Sequence, residues 1–139
     1  MSILQTATTS FKVQLLEGVH NFTSDTFKIA LYTGSASLGA DTTVYTTTGE
    51  TSGTGYTAGG EALTPTTPTS SGTTAYVSFA NVSWASASFT ARAALIYNST
   101  QGNKSVAVLD FGSDKTVSGT TFTITFPTAD ASNAIVRIA

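Results

Sequence analysis

His20, the only histidine of the chain, lies near residues that could assist a hydrolytic reaction. Ser24 and Asp25 follow it, so a nucleophile, a base and an orienting carboxylate are all present. A catalytic triad needs a geometry that nearness in sequence does not supply, and the chain has no Gly-x-Ser-x-Gly nucleophile elbow. We therefore interpret His20 as a structural residue that hydrogen-bonds the turn after a helix, where its charge would suit the helix dipole.

Asp110, Asp114 and Asp130 are the candidates for a cation site. Calcium takes many oxygen ligands, usually from a dense acidic loop, and these aspartates are too sparse for that. We expect Phe111 to point inward and the segment Gly112-Ser113-Asp114 to form a hairpin turn. One histidine and no cysteine exclude multi-histidine and thiolate metal sites within one chain. The acidic residues are scattered singly, so no carboxylate pair for glycoside cleavage stands out.

Gly53, Gly55, Gly59 and Gly60 are dense enough to suggest a phosphate-binding loop. Such a loop ends in Gly-Lys-Ser/Thr and leads into a helix, whereas no lysine is present here. We interpret the glycines as a bent strand or turn. The sequence therefore predicts no catalytic residue, no metal site, no cofactor site and no small-molecule substrate.

Aromatic residues offer a carbohydrate-binding alternative if they are exposed. A lone tryptophan in a β-sandwich is more often part of the core, which argues against this use of Trp84. The tyrosines that could join it are Tyr45, Tyr56 and Tyr97.

The composition limits the possible partners. The chain has 139 residues, six Lys or Arg, eight Asp or Glu and a net charge of -2. So few basic residues disfavour nucleic-acid binding. No apolar run is long enough to span a membrane, and Met1–Gln5 lacks the basic start of a signal peptide. With 40% hydrophobic residues, 28 threonines and 17 serines, we expect one folded domain, residues 1–139, with a neutral surface suited to other proteins.

Hydrophobic periodicity predicts the elements of the first half. Apolar residues at four-residue spacing predict a short helix over 10–18, with Ser10 as its N-cap and Gly18 at its end. Strict alternation predicts a half-buried strand over 26–33. Residues 34–72 form a Gly/Thr-rich excursion with short strands near 43–47 and 56–63. We expect it to be an extended arm that lies on a partner and lacks a core of its own.

The second half is predicted to be β throughout. Strands are expected over 75–84, 88–97, 105–111, 120–126 and 133–139, with a slip of the alternation near Ala80–Asn81 and a turn over 98–104. This many strands with short turns predicts an all-β sandwich.

Two blocks of the sequence resemble small structural proteins of tailed bacteriophages. The first comprises FKVQLLEGVHNF at 11–22 and DTFKIALYT at 25–33; the second comprises GYTAGG at 55–60 and FTARAALIYN at 89–98. Length and composition are also similar to the capsid cement proteins that decorate the heads of podophages, such as those of Bordetella. The resemblance covers residues 10–139.

The resemblance implies a jelly-roll-like sandwich outside the head shell, bound as a homodimer across neighbouring major capsid protein subunits. It implies no catalytic residue. The expected location is the virion exterior, after assembly in the host cytoplasm. A tail or neck component of the virion is the first alternative, and a carbohydrate-binding sandwich is the second.

Overall fold

The fold is described from a computed structural model, which covers residues 2–139. In chain order these residues form β1 (Thr6–Ala7), α1 (Thr9–Leu16), β2 (Phe27–Tyr32), β3 (Glu61–Leu63), β4 (Thr69–Ser71), β5 (Thr74–Val77), β6 (Val82–Asn98), β7 (Lys104–Ile124) and β8 (Val136–Ile138). They build two antiparallel sheets, with strand orders β1-β7-β6-β2-β3 and β4-β5-β8. At the level of two packed antiparallel sheets, the predicted all-β sandwich with one short N-terminal helix is confirmed. Among residues 2–139, no helix has the length and apolar character needed to cross a membrane.

The helix α1 lies close to where the sequence predicts it, but its N-cap is a different residue. Thr8, rather than Ser10, precedes it, and the Thr8 hydroxyl accepts a hydrogen bond from the Phe11 amide at 3.3 Å. Gly18 adopts a φ of +74° after the helix end, as predicted. Phe11 is buried and Leu15 packs against the same core, so one face docks the helix on the large sheet.

Strand β2 has the predicted alternation, but it is buried on both faces. Phe27, Ile29 and Leu31 belong to the main core, whereas Ala30 and Tyr32 belong to a smaller cluster on the opposite face. The prediction of a half-buried strand is therefore wrong. The reason lies in the excursion, which covers the second face of β2.

The excursion over 34–72 is extended, and it packs on its own sheet rather than standing free. Bridges join Val44 to Lys104, Glu50 to Tyr32 and Thr54 to Ser88. The strand predicted near 43–47 reduces to the bridge at Val44, and the strand predicted near 56–63 reduces to β3. The expectation that this segment lacks a core of its own is wrong, because it closes the second cluster over β2.

The slip of alternation near Ala80–Asn81 marks a change of sheet. Strand β5 pairs with β4 and β8, and after this segment β6 pairs with β2 and β7. A change of sheet inverts which side chains point inward, so the period breaks there.

Strands β6 and β7 form the longest pair of the molecule and contain one correction. The turn over 99–103 joins them as predicted. The second predicted turn, at Gly112-Ser113-Asp114, is wrong because β7 runs through it. Ala91 pairs with Lys115 and Ala93 pairs with Asp110. Residues 111–114 therefore lie opposite Arg92 alone and form an irregular bulge of four residues against one.

The end of β7 follows the predicted alternation beyond the bulge. Phe122, Ile124 and Phe126 are buried, and the threonines between them are exposed. Trp84 packs against Phe122 with ring centroids 5.8 Å apart. Both rings belong to the main hydrophobic core.

Candidate functional site

His20 lies in a buried polar cluster whose hydrogen bonds are all made within the chain. Its Nε2 atom lies 2.8 Å from Gln14 Oε1, and its Nδ1 atom lies 3.0 Å from Asn98 Nδ2. The Asn98 amide nitrogen also donates to Asp25 Oδ2 at 2.8 Å. Because Asn98 Nδ2 is a donor, Nδ1 of His20 accepts, and Nε2 carries the proton and donates to Gln14.

This cluster has a structural role rather than the arrangement of a triad. His20 and Asp25 meet through Asn98, and the structure gives no hydrogen bond from the Ser24 hydroxyl to the ring. Burial lowers the pKa of His20, with a smaller opposing effect of Asp25. The imidazole is therefore held neutral, which corrects the expectation that its charge serves the helix dipole. Through Gln14 and Asn98, His20 links α1 to the end of β6, whereas the sequence predicts a hydrogen bond to the turn alone.

The three candidate aspartates do not form one cluster. Asp110 and Asp114 each lie 3.9 Å from the Arg92 guanidinium at the bulge. Asp130 accepts hydrogen bonds from the amides of Ser132 and Asn133 and so shapes a turn elsewhere. In the part of the chain that the structure describes, no three His, Cys, Asp or Glu residues group as metal ligands would.

The glycine-rich segment surrounds a carboxylate that the sequence did not single out. Glu50 Oε1 accepts from the Tyr45 hydroxyl at 2.7 Å, and Glu50 Oε2 accepts from the Tyr56 hydroxyl at 2.5 Å and from the Gly59 amide at 2.8 Å. The Tyr97 hydroxyl donates to the Gly59 carbonyl at 2.6 Å. The bond from Tyr97 fastens the excursion to β6, and the Leu31 amide, which donates to the Tyr56 hydroxyl at 2.9 Å, fastens it to β2. A lone glutamate in a polar segment carries no local signal of such a role.

Burial raises the pKa of the phenols around this carboxylate. Tyr45 and Tyr56 also donate to Glu50, which raises the pKa of each further. For Tyr97, burial and the charge of Glu50 raise the pKa to about 12. The tyrosines are therefore fixed hydrogen-bond donors. Trp84 is 2% exposed, so it is a core residue and not a platform for a sugar ring.

The chain leaves an open apolar groove uncovered. Its first part, of about 770 Å³, lies between β1, α1 and β7 on one side and β8 on the other. A second part of about 500 Å³ continues along β7, and Gln5, Leu109 and Ile135 border both. Exposed apolar side chains stand at its mouth: Leu16 is 92% exposed and Ile138 is 57% exposed.

The groove lies where both sheets end. Strand β1 is the terminal strand of the large sheet, and β8 is the terminal strand of the small one. Each of the residues 134–139 borders the groove. Successive side chains of a strand point to opposite faces, so β8 meets the groove with its edge rather than with one face. The sequence predicted a last strand here, but it gave no sign that the strand's edge would be uncovered.

The charged side chains that border the groove are all basic. Lys12 and Arg137 border the first part and Lys115 borders the second, and no Asp or Glu side chain of residues 2–139 borders either part. The chain has only six basic residues in all. The groove thus combines apolar and basic side chains on a protein of net charge -2, and of these basic groups Arg137 also interacts with Asp130 nearby.

Comparison with known proteins leaves the function to be argued from these surfaces. No family model, no curated protein and no solved structure matches the chain. The polar clusters found inside the described chain serve its own packing. The groove is therefore the candidate functional site.

Proposed function

We propose that the chain is a structural protein of a tailed-phage virion, a cement protein that binds the outside of the capsid. In this role it clamps neighbouring major capsid protein subunits, acts as a homodimer and stabilises the DNA-filled head. The sequence blocks at 11–22, 25–33, 55–60 and 89–98 suggest this class. The single observation that carries the proposal is the uncovered apolar groove, because it lies at the terminal strands of both sheets, where another protein can pack or pair.

The physical mechanism is stabilisation by mass action. Packed DNA presses outward, so the shell subunits tend to separate. A clamp that binds only the expanded shell stabilises that state by a free energy that rises with the logarithm of the clamp's concentration relative to its Kd. A dimer that holds two subunits also raises the effective concentration of its second contact, so weak individual contacts on a repeated lattice add up.

The surface chemistry of the protein suits this role. The exposed face of β6 and β7 carries neutral hydroxyl pairs, Ser83 with Thr123 and Thr90 with Thr116, which satisfy one another at 3.0 Å and 2.9 Å. Such pairs can lie against a neighbouring protein without leaving an unpaired charge buried. No chemical step is required of any residue.

The test is the copy number of this chain in purified particles, measured against the major capsid protein by quantitative mass spectrometry. We expect a simple lattice fraction of the shell copy number. Only a few copies per particle would instead indicate the tail or neck. Absence from the particle would refute the proposal and would favour a binding protein that acts elsewhere.

Binding to isolated heads gives an independent test. Purified protein is added to expanded heads and to unexpanded precursors that lack it, and co-sedimentation is measured. We expect saturable binding to expanded heads alone, together with a higher temperature of head disruption. Equal binding to both forms would contradict the clamping mechanism.

A further inference from the structure

We propose that the groove accepts an extended acidic and apolar segment of a partner protein, which adds as a strand between β1 and β8. This inference rests on the proposed function in one respect only, since it takes the groove to be the partner-binding surface. It adds the conformation and the chemistry of the bound segment. The experiments below separate the two ideas.

The first argument concerns the backbone at the groove. Strand β1 pairs on one side only, through Thr6 with Val108 and Ala7 with Ala107. Strand β8 pairs on one side only, with β5. A terminal strand presents unpaired N–H and C=O groups along its outer edge, which form a template for another extended chain. One strand in the groove would lie beside the edges of both sheets.

The second argument concerns shape and apolar surface. The wall is apolar along β7, where Val106 and Leu109 border the groove, and along the segment that contains Ile135. Side chains of an added strand alternate between its two faces, so every second residue would enter this wall and the others would point to the rim. A segment with alternating apolar residues fits both surfaces.

The third argument concerns charge. Lys12, Lys115 and Arg137 lie along the border without an acidic side chain among the groove residues. A basic segment would meet like charges in a partly desolvated site, whereas carboxylates at the rim positions would meet opposite charges. The side chains that alternate with the apolar ones are therefore acidic.

Peptide binding tests the proposal directly on the full chain. The probes are a short capped peptide in which valine and glutamate alternate, the same peptide with lysine in place of glutamate, and a valine–glutamate peptide of scrambled order. Fluorescence anisotropy of labelled peptides gives each Kd. We expect the alternating acidic peptide to bind at least about tenfold more tightly than either control, with an affinity that falls as salt is added.

Hydrogen exchange reports whether the peptide binds as a strand. We expect slower exchange of amides in β1 and β8 when the acidic peptide is bound. Equal binding of the acidic and lysine peptides, no binding at about millimolar concentration, or binding without protection of these edges would overturn the proposal. Protection that grows with protein concentration in the absence of peptide would mean that a second copy fills the groove, which would also overturn it.

Charge variants with a matched control test the site. The double variant Lys12→Gln with Arg137→Gln removes two charges from the groove, and Lys28→Gln with Lys104→Gln removes two charges elsewhere. We expect the groove variant to bind the acidic peptide about five- to thirtyfold more weakly and the control to stay within about twofold of the unmodified protein. Equal losses in both variants would refute the assignment of charge to the groove.

Head binding then separates this inference from the proposed function. If the unmodified protein binds expanded heads and the groove variant binds them equally well, the inference is wrong and the cement function stands. If the unmodified protein binds no heads but binds the acidic peptide with the expected protection, the cement function is wrong and the inference stands.

Discussion

Replacing Gly60 by alanine tests how closely the excursion is held against β2. A Cβ atom on Gly60 would lie 1.7 Å from the Ile29 carbonyl oxygen and 2.9 Å from the Ala30 Cα atom. An ordinary van der Waals contact is about 3.5 Å, so the turn and the strand would have to separate by roughly 2 Å. The φ of Gly60 is also +77°, which L-residues rarely adopt.

The expected cost follows from three terms. A positive φ costs an alanine about 1–2 kcal/mol, and inserting a methyl group into packed surroundings costs about 1–3 kcal/mol. Separation also weakens the hydrogen bonds from the Tyr97 hydroxyl to the Gly59 carbonyl and from the Gly59 amide to Glu50, each worth about 1 kcal/mol. If both hydrogen bonds are lost, we expect Gly60→Ala to lower the free energy of unfolding by about 4–7 kcal/mol.

Gly112→Ala is the matched control. The φ of Gly112 is +80°, but no atom lies within 4 Å of the position that its Cβ would take. Only the backbone term applies, so we expect a loss of about 1–2 kcal/mol. Urea unfolding followed by the fluorescence of Trp84, the only tryptophan, gives both values. Losses that agree within about 1 kcal/mol would show that steric contact with β2 is not what holds the excursion.

Three further predictions concern titratable groups. Glu50→Gln keeps the shape of the side chain but removes the charge that Tyr45 and Tyr56 donate to; we expect a loss of about 1–2 kcal/mol in urea unfolding and a fall in the pKa of both phenols in an absorbance titration. Unchanged titration would contradict the geometry. Burial lowers the pKa of His20 from 6.5, so its contribution to stability is full above pH 6.5 and is lost as pH falls through the folded value. Proton NMR of this single imidazole should give a midpoint below 6.5, and a midpoint at or above 6.5 would refute its burial. The pKa of Tyr97 is raised from 10.0 to about 12, so its contribution is full below pH 10 and is lost as pH rises towards 12, which circular dichroism in alkali would detect.

The sequence predicts those parts of the fold that depend on local periodicity. The spacing of Phe11 and Leu15 indicates α1, and the alternation around Phe122 indicates the end of β7, because each pattern reflects one buried face of one element. The break near Ala80–Asn81 is also visible, since a change of sheet inverts the alternation. The cause of this break can be identified only from the strand pairing in both sheets.

The missed features depend on contacts that the periodicity of apolar residues does not reveal. Gly112, Ser113 and Asp114 suit a turn and a bulge equally well, and the pairing of β7 with β6 selects the bulge. Glu50 gains its role from tyrosines and a glycine amide that the fold brings to it. The groove is harder still to predict, because it lies beside β1 and β8, each of which lacks a neighbouring strand on its outer side.

The placement of β1 has a consequence for how the protein folds. Strands β6 and β7 are joined by a short turn, so their pairing closes a small loop. By contrast, Thr8, which follows β1, bonds to Val106 across 98 positions of the chain. Closing a long loop costs more entropy and is slow unless other contacts form first. We therefore expect the wall that β1 contributes to the groove to form late in folding, after β6 and β7 have paired.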